Sequence, residues 1–205
     1  MTSPIVAIPY RFDTGDPTKN TRILDWMAAR PSVFVAATTP ELRRLAAAAA
    51  LTDPRSLHWE VWTDKDLVGI LQLSRIIPTV DALIHFLFFD GNLLGRRRFL
   101  WQFLGRCFQD LGLQRISWEC PEHVPLVNFM RSKLHFRYEG EGRVVNHPAI
   151  DKTVRHKKLE KPDVWVARQG SRRQGAHFHE GEWKDIILLR LLRSEYQSLA
   201  DEGRG

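Results

Sequence analysis

"VDALIHFLFFDGNLLGRRRFLWQFLGRCFQDLGLQRISWEC", residues 80–120, decides the fold. Its first ten residues are almost continuously apolar, as a strand covered on both faces requires. Asp90 and Gly91 stop that run. Phe99, Leu100, Phe103, Leu104, Cys107, Phe108 and Leu111 then recur at spacings of three and four, the stripe of an amphipathic helix, which Gly112 closes. "QRISWEC" (114–120) returns to an extended pattern. Strand, helix and strand in that order make a β-α-β crossover, which calls for parallel pairing. Inside it, Arg96, Arg97 and Arg98 stand where the helix begins. A helix N-terminus carries partial positive charge, so three arginines there are locally unfavourable.

Upstream, "IVAIPYRF" (5–12) reads as a first strand, broken by "DTGDP". "TRILDWMAAR" (21–30) is a short amphipathic helix stopped before Pro31. "TTPELRRLAAAAAL" (38–51) is a second helix, with Thr39 as N-cap and Pro40 at its first position. "HWEVW" (58–62) and "LVGILQL" (67–73) alternate around "TDKD" as a hairpin. Downstream, "PEHVPLVNFMRSKL" (121–134) is a helix opened by Pro121, with Val124, Val127, Met130 and Leu134 on one face. "FRYEGEGR" (136–143) and "WKDIILLRLL" (183–192) are the remaining strands. The order predicts an α/β domain with a mixed, partly parallel central sheet flanked by helices.

With 205 residues, 43% of them hydrophobic, the chain has the material for one sizeable core. Cys107 and Cys120 lie apart in apolar runs and are expected to be buried, reduced thiols. No leader pattern and no apolar run near 18 residues is evident, so a soluble, cytoplasmic protein without membrane contact is expected. The net charge of +6 is unevenly placed. From Arg143 to Ala176 nine Lys or Arg stand against three acids, an excess equal to the whole net charge. A near-neutral domain therefore carries one basic segment.

"RSKLHFRYEGEGR" (131–143) resembles the "EKLGFxxEGxxR" passage of the GCN5-related N-acetyltransferases, the GNAT superfamily. "GEWKDIILLRLLRSEY" (181–196) is similar to the closing "DGxWxDxxLxxLLxxEW" strand of the ribosomal-protein and amino-terminal acetylating branch. "LVGILQL" is similar to the family's "xIGxIxL" strand, and "FFDG" (88–91) to a passage of small GNAT-like proteins encoded by bacteriophages. The resemblance covers roughly 5–142 and 180–196. It implies a GNAT-like domain over 1–143 and 177–196, a basic insertion over 144–176 between the last two strands, and a flexible tail over 197–205. Within the insertion, "VWVA" (164–167) is expected to add a short strand.

The resemblance also implies acetyl-coenzyme A. After the fourth strand the family has a loop of pattern Gln/Arg-x-x-Gly-x-Gly/Ala, whose N–H groups and following helix bind the pyrophosphate. Free N–H groups and a helix dipole do form an anion site. By this reading Leu94, Gly95, Arg96, Arg97 and Arg98 are the cofactor-binding residues. Here Asn92 replaces the Gln or Arg, and Arg97 stands where Gly or Ala belongs. Two readings of the triplet stand: arginines on phosphates, or arginines splayed into solvent or paired with acids beside a vestigial loop.

Acetyl transfer to an amine needs a base. Glu119, Glu60 and His85 are the candidates. Glu119 ends a strand, a usual place for α/β sites, but also suits a helix cap or salt bridge. His85 lies within an apolar run, where a hydrogen-bonded core histidine is the alternative. The tyrosine that donates a proton in much of the family falls on Arg131, the serine of the ribosomal-protein branch on Val127, and its pantetheine-contacting asparagine on Val124. A departing thiolate would then leave unaided or with a water. His177 and His179 have no third ligand in view, so no metal site is expected.

Two function classes follow. One is an acetyl-coenzyme A-dependent N-acetyltransferase acting on a protein or peptide amine. The other is a catalytically degenerate binding or assembly module, such as a phage virion or host-interacting protein. In either, residues 144–176 would engage an acidic protein or nucleic acid; "RQGSRRQG" (168–175) resembles loops that touch RNA backbones.

Overall fold

The structure, a computed structural model, describes residues 5–12, 16–30, 39–121, 126–139, 142–145, 163–166, 172–179 and 182–204. β1 (Ile5–Tyr10) is followed by α1 (Pro17–Ala28) and α2 (Pro40–Thr52), and these by β2 (Leu57–Thr63), β3 (Asp66–Ile77) and β4 (Asp81–Phe88). A 3-10 turn (Leu94–Arg96) leads into α3 (Arg97–Asp110), then β5 (Arg115–Pro121), α4 (Leu126–Lys133) and β6 (Arg137–Tyr138). β7 (Gly142–Val145), β8 (Asp163–Val166), β9 (Arg172–His179), β10 (Glu182–Leu192) and α5 (Arg193–Asp201) complete it.

The Thr39 cap expected from the sequence forms, and Asp16 adds a second. The Asp16 carboxylate accepts from the Thr18 N–H ahead of α1, and the Thr39 hydroxyl accepts from the Leu42 N–H ahead of α2. Buried Arg43 donates from α2 to the Ala28 carbonyl at the end of α1, 2.6 Å away. The main sheet runs β1-β2-β3-β4-β5-β10-β6, with β9 also on β10. Neighbouring residues of β3 point to opposite faces. Leu71 and Leu73 join Ile84, Leu100, Phe103, Leu104 and Phe108 in the larger core under α3. Ile70 joins Ile23, Met27, Ala47 and Leu51 under α1 and α2. β4 lies mid-sheet between two helical layers, as its unbroken apolar run requires. Cys107 and Cys120 are buried and unpaired. Among the described residues no helix is long and apolar enough to cross a membrane.

Gly69 holds a close approach in the middle of this sheet. A Cβ there would lie 2.6 Å from the Leu87 carbonyl oxygen and 2.6 Å from a Phe88 ring carbon. Backbone cannot yield as a flexible side chain can. Gly69→Ala is therefore expected to lower unfolding free energy by about 1–3 kcal/mol in denaturant titrations.

The first crossover gives the expected parallel pair, β4 with β5, but it is short. Only Asp81, Ala82 and Leu83 face Arg115, Ile116 and Ser117. The Asp81 carboxylate accepts from Arg115 at 2.5 Å and from the Ser117 hydroxyl at 3.0 Å, pinning that end. β4 then runs on to Phe88 and β5 to Pro121 without pairing with each other, so the sheet opens into a V. The second crossover behaves differently. β10 lies between β5 and β6 and is antiparallel to both, so these two never touch.

Four boundaries differ from the sequence reading. Pro121 is the last residue of β5 rather than a helix start, and the described part of α4 begins at Leu126. The segment 136–143 divides: Arg137–Tyr138 join β10, while Gly142–Val145 pair with Asp163–Val166 in a separate two-stranded sheet. β9 starts at Arg172, inside the span 144–176, and pairs with β10; 146–162 and 167–171 lie outside the described residues. Residues 193–201 are a helix where a free tail from 197 was expected. Tyr196 holds it down, its ring 4.4 Å from Trp101 and 5.3 Å from Phe108 between centroids. Gly105 leaves room for the Tyr196 hydroxyl, with which a Cβ would collide.

Candidate active site

The V between β4 and β5 opens a cleft of about 1040 Å³, bounded also by Trp26 of α1, by Arg30 just beyond that helix and by the chain following α2. Register fixes which side chains face it. Gln72 lies opposite His85, and Ser117 is level with Leu83, so His85 and Glu119 share the face that α1 and α2 cover. Both line the cleft, with Gln72, Ser74 and Arg75. β3 is bulged between Ser74 and Ile77, and Arg75 takes φ 50° there. From that bulge the Arg75 guanidinium donates to the Glu119 carboxylate at 2.9 Å. The His85 Nε2 stands 3.3 Å from the Ser74 hydroxyl.

His85 is pushed down to about 4, chiefly by burial and then by the nearby charges of Arg75 and His58. It is a neutral imidazole at pH 7. His58, across Gln72 from it, is buried and also depressed by burial. Its Nε2 has no hydrogen-bond partner among the described residues. A histidine whose folded pKa lies below its unfolded value contributes stability above pH 6.5 that is lost as pH falls toward 4. Stability is thus expected to drop across that window by up to about 3 kcal/mol from His85. His85→Gln should flatten the drop when urea midpoints are followed against pH.

Glu60 is not part of this site. It is buried under α1, where the Lys19 ammonium and the Trp62 indole N–H, the latter at 2.7 Å, donate to its carboxylate. Burial raises the Tyr10 hydroxyl, and the Glu60 charge adds to it.

The arginine triplet divides three ways. Arg96 is buried and turned back on its own loop, donating to both oxygens of Asp90 at 2.5 and 2.7 Å and to the Asn92 carbonyl at 2.9 Å. Its guanidinium lies over the Phe88 ring at 4.6 Å. These bonds hold the Asp90 carboxyl down at about 2. Arg97 donates to the carbonyls of Lys133 and Arg204 at 3.1 and 3.3 Å. Arg98 is exposed. The N–H groups of the turn are largely engaged within the chain. Gly95 donates to the Asn92 side chain, Arg96 to the Leu93 carbonyl and Arg97 to the Leu94 carbonyl. Gly95 lets the Asn92 amide sit close, since a Cβ there would stand 2.8 Å from it and push that side chain away.

A second groove, of about 360 Å³, runs between this loop and α4. Gly91, Leu93 and Leu126 border both it and the cleft, so the two meet at the mouth of the V. Asn128, Ser132 and Lys133 line it from α4. The spacing of four places Asn128 and Ser132 on one helix face, a polar signal that the apolar stripe of Met130 and Leu134 overshadowed. Arg131 stacks on Tyr138 at 4.2 Å and Val127 packs against the core. Val124 lies outside the described residues, as does the structure around its neighbours Glu122 and His123.

Neither a protein-family model nor a curated protein sequence matches the chain. Solved structures do. Spermidine N-acetyltransferase from Vibrio cholerae in complex with CoA and spermine is 15% identical, with a TM-score of 0.62 over 94% of this chain and 98% of that one. A dodecameric form of the Vibrio cholerae enzyme in an intermediate state is also 15% identical, at 0.58 over 94% and 95%. A putative acetyltransferase is 13% identical, at 0.57 over 88% and 83%. The fold is that of the GNAT acetyltransferases.

Proposed function

We propose that the protein is an acetyl-coenzyme A-dependent N-acetyltransferase whose acceptor amine enters the cleft on the α1 and α2 face. The observation that carries this reading is the polar pair Glu119 and His85 at an opening that passes between β4 and β5 to a groove on the other side. The residues present fit the cofactor. Leu93 and Leu126 suit an apolar arm through the V, while Asn128, Ser132 and Lys133 suit the polar end of the groove. With the Asn92 amide and Arg96 engaged in the chain, phosphates would meet Lys133 and Arg98. Acetyl-coenzyme A would supply an acetyl group activated as a thioester.

Glu119 takes the proton from the acceptor nitrogen, and Arg75 keeps its carboxylate turned into the cleft. Neutral His85 offers a hydrogen-bond acceptor beside it without adding charge. The Cys120 thiol on the wall is pushed up to about 12 by burial, so it stays protonated and offers no nucleophilic thiolate. Transfer therefore runs directly to the amine. Arg131 cannot donate a proton near neutral pH, so it would offer no acid to a departing thiolate.

The neighbours' substrates, spermidine and spermine, and their acetyl transfer support an amine acceptor; they lend nothing to a protein or peptide one. In the test, acetyl-coenzyme A at 100 times its dissociation constant should add about 2.7 kcal/mol of stability. Free thiol should appear on adding a primary amine. Absence of both at millimolar ligand would leave the non-catalytic reading, which the self-capped loop would then explain.

A further inference from the structure

The charges lining the cleft suit a particular acceptor. Among the described residues three arginines, Arg30, Arg55 and Arg75, face two carboxylates, Asp53 and Glu119. Arg55 is paired with Asp53 at 3.0 and 3.1 Å, and Arg75 with Glu119 at 2.9 Å. Arg30 has no acid. Its guanidinium lies 3.8 Å over the Trp26 ring and donates to the carbonyls of Phe89 and Trp26, at 2.9 and 3.4 Å. Trp26 is itself fixed, its indole N–H donating to the same Phe89 carbonyl at 3.1 Å and its ring 4.7 Å from that of Phe89. Two of the five guanidinium N–H bonds are thus used, and the cation is held rigidly at the cleft wall with no counter-charge among the described residues.

A polycation would meet a like charge there, whereas an oxyanion would find a preset, charge-assisted donor. Building on the transferase reading, we infer that the acceptor is a primary amine carrying a carboxylate or phosphate, with the amine at Glu119 and the oxyanion on Arg30.

A matched series tests it: 5-aminopentanoate and 3-aminopropyl phosphate against pentylamine and 1,5-diaminopentane. Thiol release should give kcat/KM for the anionic amines about ten- to hundredfold above pentylamine, and above the diamine by at least as much. The two anionic amines separate a carboxylate from a phosphate preference. Arg30→Gln should reduce the ratio of anionic to neutral amine to about two or less, a change in ratio that a general loss of packing would not produce. Calorimetric titration of the same amines, without acyl donor, should show the same order of binding. Tighter binding of 1,5-diaminopentane than of either anionic amine, or a ratio unmoved in Arg30→Gln, overturns the inference. Binding in the expected order with no thiol release from any amine would overturn the transferase reading alone.

Discussion

Glu119→Gln is expected to lower kcat/KM for amine acetylation by about 10²- to 10⁴-fold, the usual worth of a positioned general base. The amide keeps the size and one acceptor oxygen of the carboxylate but cannot hold the proton that leaves the nitrogen. Stability should change little, because its partner Arg75 is 64% exposed. Exposed pairs contribute about 0–1 kcal/mol, which in a chain of this size moves Tm by no more than about 4 °C. The contrast is Glu60→Gln. Glu60 is buried and engaged by Lys19 and Trp62, so the change should lower Tm while the rate per folded molecule stays near that of the unaltered protein. A Glu119→Gln protein with more than half the original rate would move the base to His85, whose depressed pKa makes it the weaker acceptor.

These contrasts show what one-dimensional pattern carries and what it does not. The β4-α3-β5 unit was legible because its signals are local: an apolar run, a helical stripe and a closing glycine. The two capped helices and the β2-β3 hairpin were legible for the same reason. Strand neighbours were less so. That β10 would slip between β5 and β6 depends on pairing across the chain, and nothing near residue 140 records it. Glu60 and Glu119 illustrate the same limit at the site. Each ends or alternates within an apolar strand and looks equivalent in sequence. Only register separates them, placing one under α1 and the other at the open end of the V. Arg30, near the end of a short amphipathic helix, carried no signal at all, because its meaning lies in contacts with Trp26 and Phe89, the second nearly sixty residues away.

The arginine triplet is open to the sharpest thermodynamic test. Arg96 is only 6% exposed in its side chain, and Asp90 supplies its counter-charge through two short bonds. Removing one partner of a buried pair leaves the other charge desolvated and uncompensated, at a cost of about 3–5 kcal/mol. Asp90 is 52% exposed, so water would enter as its carboxylate is removed and the lower end applies. Asp90→Ala is thus expected to lose about 3 kcal/mol, a fall in Tm of roughly 6–12 °C. The double variant Asp90→Ala, Arg96→Met should recover most of it. The methionine chain replaces the arginine stem over the Phe88 ring without a charge to desolvate. A coupling above about 1 kcal/mol in that cycle identifies the pair as the clasp of the loop. Acid should reproduce the single change. The Asp90 carboxyl is held at about 2, so its contribution is complete above its ordinary value near 4 and is lost only as pH falls toward 2. If Asp90→Ala costs less than about 0.5 kcal/mol, the loop does not rest on this pair. Arg96 would then be released from its own chain and available to a phosphate, as an arginine at a helix N-terminus would otherwise be expected to serve.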